Sequence, residues 1–194
     1  MIWNILNKTV SIINPLAISI VAIITAVVAV KGLNTWKRQM KGKTDYEVAR
    51  RYLRSVYKTR EAIKYVRSPF ISPGEMKKSL EESGLADNKD LTENQKTNWA
   101  VYDARWKKVT EAKTEMDLES FEAEVSWGKD IMVAQKDLDD LIRKLYATVS
   151  MFLRGYNGEK EDKIIYDIGE QDDFRKEIDE AIKKIQDYLK PYLS

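Results

Sequence analysis

The sequence contains no cysteine and no histidine. Without a thiol or an imidazole the chain has no Cys-His or Ser-His pair, no His-bound or Cys-bound zinc, and no ordinary proton shuttle near neutral pH. The missing cysteines also leave the compartment unread from redox chemistry, because such a chain folds equally well in reducing and oxidising surroundings. The patterns GxxxxGK[ST], GxGxxG and GxSxG are absent too, which removes the usual phosphate-binding loops and the esterase elbow. No stretch alternates with the period of a strand, and no repeat of 20 to 50 residues points to a solenoid. These absences make catalysis the disfavoured class: no catalytic residue, cofactor site or metal site is expected.

What is present divides the chain in two. The 194 residues, a third of them charged, correspond to about one domain, and those beyond residue 30 suffice for one core without disulfides or metals. Between Lys8 and Lys31 no residue is charged, and Ile, Val and Ala dominate. As a helix, residues 9–30 measure about 33 Å, close to the roughly 30 Å hydrocarbon thickness of a bilayer. Trp3 and Trp36 flank the run, where indole rings favour the headgroup layers. Pro15 falls in the first turns, where a missing backbone donor does least harm. The run exceeds the 7–15 residues of a signal-peptide core, so the expectation is a retained single-pass anchor rather than a cleaved signal.

Basic residues set the expected orientation. Only Lys8 precedes the span, whereas Lys31, Lys37, Arg38, Lys41 and Lys43 follow it before the first acid, Asp45. By the positive-inside rule the start of the chain lies outside and the rest in the cytoplasm, as in a bacterial inner-membrane protein. The near-neutral total of +2 conceals a charge step. Residues 31–67 hold twelve bases against three acids, Asp45, Glu47 and Glu61, whereas residues 68–194 hold 20 bases and 28 acids. Lys31, Lys37, Arg38, Lys41, Lys43, Arg50, Arg51, Arg54 and Lys58 are therefore candidate contacts for anionic headgroups or phosphates, each cation near a membrane being worth about 1 kcal/mol. Nucleic acid would use the same charges, with Tyr46, Tyr52, Tyr57 and Tyr65 interleaved as stacking platforms. It is the weaker reading, since Tyr52 falls on an apolar face.

The cytoplasmic part reads as helices almost throughout. Thr44 to Glu47 forms a capping-box pattern, opening a helix with Ala49, Tyr52, Leu53, Val56, Ile63 and Val66 on one side and arginines and lysines opposite. Ser68-Pro69 ends it. Ser72-Pro73 starts a short second helix that Gly84 stops. Thr92 to Gln95 is a further capping box, before an apolar seam of Trp99, Tyr102, Trp106, Val109 and Met116, with Lys113 in register. A new phase begins at Leu118 with Phe121 and Val125, and continues through Ile131, Leu138, Leu145 and Phe152. The register shifts around Trp127-Gly128, which is either a turn between two helices or a bend inside one; one long helix from residue 118 to 154 is the favoured reading, because a single internal glycine costs only about 1 kcal/mol. Gly155 to Gly158 is a stop, and Ile164-Ile165-Tyr166 forms an apolar hook. The last helix carries Phe174, Ile178, Ala181, Ile182, Ile185 and Leu189 and ends at Pro191. The expected fold is all-α: a transmembrane helix, a basic juxtamembrane segment over residues 31–43, and an antiparallel bundle over residues 44–194 of about four main helices with coiled-coil-like seams.

Acidic residues cluster at Glu119, Glu122 and Glu124, at Asp137, Asp139 and Asp140, and at Glu170, Asp172 and Asp173. Dimetal bundle sites combine glutamates with Glu-x-x-His pairs, which this chain cannot supply, so ion pairs or exposed side chains are expected. The span offers a more pointed feature. Ser19, Ala22, Ala26 and Ala29 follow one another at spacings of three and four on one face, the small-xxx-small arrangement that lets membrane helices approach closely. Self-association, or pairing with another membrane protein, follows from it.

The stretches WKRQMKGKTDYEVARRYLRSVYKTREAIKYVRSPFI, YDARWKKV, FEAEVSWGKDI and FRKEIDEAIKKIQDYLKPYL, in that order, resemble a group of small bacterial membrane-tethered helical proteins. The resemblance covers most of the chain, implies an anchor followed by a bundle, and carries over no functional residue. The expected function is a membrane-anchored interaction, scaffold or regulatory module. One alternative is a membrane-disrupting effector of a defence or toxin system whose spans associate through the small-residue face; a further one is anionic-lipid or nucleic-acid binding through the basic helix over residues 44–67.

Overall fold

The computed structural model describes residues 2–156 and 158–193, with side chains described from residue 18 onward. It comprises helices α1 (Ile2–Val66), α2 (Pro73–Ser83), α3 (Glu93–Trp127), α4 (Asp130–Leu153), α5 (Glu159–Ile165) and α6 (Asp173–Leu189), and a closing 3-10 turn, Lys190–Tyr192. No strand occurs among the described residues. The protein is all-α, and its packing divides it into two units, Met1–Thr44 and Asp45–Ser194.

In the first unit the described side chains, residues 18–44, are exposed throughout. The Thr25 hydroxyl donates to the Val21 carbonyl at 2.8 Å, so this hydroxyl within the apolar stretch is satisfied within its own turn. Thr44 does the same with Met40, at 3.0 Å. This corrects the expected capping box at Thr44 to Glu47: the hydroxyl bonds backward inside a continuing helix. A local cap pattern loses to propagation when the preceding turn already supplies the carbonyls that the following amides need.

The second unit is an antiparallel bundle. The part of α1 from Asp45 onward runs against α3, with Trp127 donating to Asp45 at 2.9 Å at one end and Arg105 donating to the Ser68 carbonyl at 2.7 Å at the other. It also runs against α6, where Arg60 pairs with Asp179 at 2.7 Å and Tyr57 meets Gln186. α4 completes the square between α3 and α6, shown by Trp106 on Tyr146 at 5.0 Å and Lys144 near Glu177 at 3.3 Å. The core draws Tyr52, Val56 and Ile63 from α1, Val109 and Met116 from α3, Leu138 and Leu145 from α4, and Ile178, Ile182 and Ile185 from α6. The apolar hook over residues 164–166 becomes the end of α5, with Ile165 fully buried.

Caps account for several boundaries. Ser72 accepts from the Glu75 amide at the start of α2, with Pro73 in the first turn, and Gly84 ends that helix in the left-handed region at φ 68°. Thr92 and Gln95 form the expected reciprocal capping box of α3. The expected continuous helix over residues 118–154 is not found. α3 runs through Leu118 without a break and stops at Trp127; Gly128 adopts φ 92°, ψ −176°, and α4 starts at Asp130. Phe121 and Val125, expected on the apolar side of that helix, are exposed together with Leu118, and the small side chains of Ser120 and Ala123 face the core in their place. The reason is register: α3 keeps the phase set by Val109, Ala112 and Met116, which carries Ser120 and Ala123 inward.

Candidate functional site

Residues singled out in the sequence fall in three settings. Ser19, Ala22, Ala26 and Ala29 are exposed on α1 in the first unit, as are Lys31, Lys37, Arg38, Lys41 and Lys43. Trp36 is exposed, whereas the side chain of Trp3 lies outside the described residues. In the second unit Arg50 and Arg54 are exposed. Arg51 bonds to Glu119 at 3.0 Å and also to Glu122, and Lys58 pairs with Glu115. The last two cations thus direct their charge to α3. Glu122, which sat between two apolar residues in the sequence, is half exposed and engaged in that surface pair.

The unit's strongest polar structures are two arginines that the sequence reading passed over. Arg105 and Arg67 are each only 1% exposed. Arg105 makes a two-pronged pair with Glu75, at 2.7 and 3.0 Å, and donates to the carbonyls of Ser68 and Phe70, both at 2.7 Å. Tyr65 donates to the same carboxylate at 2.8 Å while its ring lies against the guanidinium, 4.9 Å from centroid to carbon. The Arg105 hydrogen bonds hold the Glu75 carboxyl below its ordinary pKa. This cluster fastens the 67–72 connection to α2 and α3. A cleft of about 360 Å³ beside it is lined by Lys78, Glu82, Asp103 and Lys107 among others.

Arg67 does the equivalent work at the other connection. Its guanidinium donates to the carbonyls of Lys163, Ile164 and Tyr166 and to Asp172 at 2.7 Å, while Asp172 caps α6 through the Arg175 amide at 2.9 Å. A third network crosses the core. Tyr52 donates to Gln135 at 2.8 Å, and Gln135 donates to Asp117 at 2.8 Å and more weakly to Asp139, with Lys113 paired to both acids. Burial first, and then the charges of Asp139 and Asp117, push the Tyr52 phenol well above its usual pKa, so it remains a proton donor. No buried side-chain nitrogen or oxygen among the described residues lacks a partner. Nor do three or more acidic side chains there gather into a metal-holding group. The geometry of these networks is that of clamps: every strong donor is satisfied within the chain and holds a connection or a helix pair.

One signal could have revealed Arg105. The seam Tyr102, Trp106, Val109 places position 105 on the buried side, so an arginine there requires a carboxylate partner. Arg67 had no such signal, because its partners lie about 100 residues later in the chain.

The surface also holds an apolar row that the sequence reading had assigned to the core. Leu118, Phe121 and Val125 are 65%, 53% and 88% exposed along the C-terminal half of α3. Acids surround them at Glu115, Asp117, Glu119, Glu122 and Glu124. Among the described residues, this row and the stretch of the first unit each line up several exposed apolar side chains along one helix.

No protein-family model, curated protein or solved structure matches this chain.

Proposed function

We propose that this protein is a single-pass, membrane-anchored interaction module whose helical bundle lies in the cytoplasm. The observation that carries the reading is the uncovered apolar stretch of α1. Among the described residues one helix is long and apolar enough to cross a membrane, and none of its most apolar window is buried within the chain. Ile18, Ile20, Val21, Ile23, Ile24, Val27, Val28 and Val30 all stand exposed, and burying that many side chains is worth more than about 10 kcal/mol. A bilayer offers that burial at the required length. The following cations, exposed and free of acids until Asp45, supply the cytoplasmic bias and attraction to anionic headgroups. The bundle's polar groups are spent on holding its own connections, which favours a binding surface over a reaction centre.

The test is fractionation of the full-length chain combined with single-cysteine labelling, which the absence of native cysteine keeps free of background. Expected is a membrane fraction resistant to alkaline carbonate, with a cysteine at Lys190 shielded from an impermeant reagent applied outside. Recovery in the soluble fraction, or outside labelling at that position, refutes the anchored or the cytoplasmic part respectively. A second reading, a membrane-disrupting effector, is favoured by the exposed small-residue face at Ala22 and Ala26. It requires expression toxicity and dye leakage that Ala22→Leu with Ala26→Leu abolishes.

A further inference from the structure

The row Leu118, Phe121, Val125 runs at spacings of three and four among the acids of α3, and an apolar row lined up on one exposed helix face is a candidate contact site. Charge restricts what covers it. Residues 115–125 contain five acids and no base. At about 100° per residue, Asp117 and Glu124 flank the row on one side and Glu115 and Glu122 on the other. Arg51, Lys58 and Lys113 offset part of this charge, but Glu124 has no ion pair among the described residues. Two such rows repel each other, and so does an anionic bilayer surface. The fitting occupant is a cationic helix with an apolar row of its own.

This chain contains one. Leu33, Trp36 and Met40 repeat the same spacings of three and four, are each about half exposed, and lie in a segment with no acid between residues 31 and 43. By the same helical rotation Lys37 and Lys43 flank that row, while Lys31, Arg38 and Lys41 lie behind it and stay available to headgroups. We propose that the 31–43 segment of a second copy of this chain docks on the α3 row, with Lys37 and Lys43 against the flanking acids. The row belongs to the end of the bundle that holds Asp45, since Trp127 bonds to Asp45 at 2.9 Å. The docking rests on the proposed function only in that anchoring both copies in one bilayer raises their effective concentration. Each copy carries both halves of the contact, so two copies can exchange segments about a two-fold axis, or a head-to-tail series of copies can close into a ring.

The experiment uses full-length chains in native membranes. Copies carrying Val125→Cys under one tag and Met40→Cys under another are co-expressed and oxidised. Mixed-tag dimers are expected, with little dimer from either substitution alone. Glu124→Lys in the first copy, or Lys37→Glu in the second, lowers the yield by about tenfold, and the two together restore it. Val125→Cys crosslinking mainly to itself overturns the proposal in favour of row-to-row contact. Labelling of Val125→Cys by a lipid-dissolved maleimide overturns it in favour of the bilayer, and absence of mixed dimers overturns it outright. If the chain is recovered in the soluble fraction, the membrane-anchored reading falls, and the mixed-tag crosslink in that fraction still decides the docking.

Discussion

At the scale of single residues, Arg105 and Glu75 decide how the second unit is held together. A buried guanidinium is tolerable only while its carboxylate stays in place, because removing one partner leaves an uncompensated charge in a dry site. Glu75→Gln is therefore expected to cost about 3 kcal/mol in urea unfolding of the full chain in detergent. The pH dependence has a defined sign. The folded-state pKa of Glu75 lies below its ordinary value, Arg105 being the main cause, so the unfolded chain binds more protons between the two values. The stabilisation is complete above the unfolded value of about 4.3 and is lost as the pH falls through the folded one. Unfolding midpoints of the parent and Glu75→Gln should differ most near neutrality and converge on acidification; a gap that widens toward low pH would contradict the assignment. Asp172→Asn should also lower stability in urea unfolding, since it leaves the buried Arg67 guanidinium without its carboxylate.

At the scale of elements, the boundary between α3 and α4 shows a local rule outweighed by packing. Propensity allows a helix to pass through one glycine, yet α4 must turn back to place Ile131, Leu138 and Leu145 against the core. Gly128 makes the turn at φ 92°, ψ −176°, a region open in practice to glycine alone. Nothing lies within 4 Å of a Cβ built there, so the cost of Gly128→Ala is conformational rather than steric. It is expected to be about 1–3 kcal/mol by denaturation, with helix content unchanged by circular dichroism. Thr92→Ala removes the hydroxyl of a formed capping box and should cost about 1 kcal/mol in the same assay. Thr44→Ala, whose hydroxyl only bonds backward within its helix, should change stability by less than about 0.5 kcal/mol. An effect of Thr44→Ala as large as that of Thr92→Ala would mean that Thr44 does cap a helix.

At the scale of the molecule, two units with opposite surfaces share one chain. From residue 18 the first is apolar, then cationic, and exposes both; the second closes a core and leaves an acidic, apolar-striped face of α3 open. Arginine at positions 20 and 23 places two charges near the middle of the apolar run, at about 2.5 to 3.5 kcal/mol each. Ile20→Arg with Ile23→Arg should shift the full-length chain out of the carbonate-resistant fraction, and unchanged fractionation would refute membrane insertion. Much of this was legible in the sequence. The all-α class, the caps at Ser72 and Thr92, the buried faces of α1 and α6 and the uncovered apolar run follow from local chemistry and from period, which neighbouring residues carry by themselves. Tertiary structure alone decided the rest. It broke the 118–154 segment at Gly128, turned Leu118, Phe121 and Val125 outward, and paired Arg67 and Arg105 with distant carboxylates. Those outcomes depend on which helices meet and in what rotation, and a helical period leaves rotation free until a neighbouring helix fixes it.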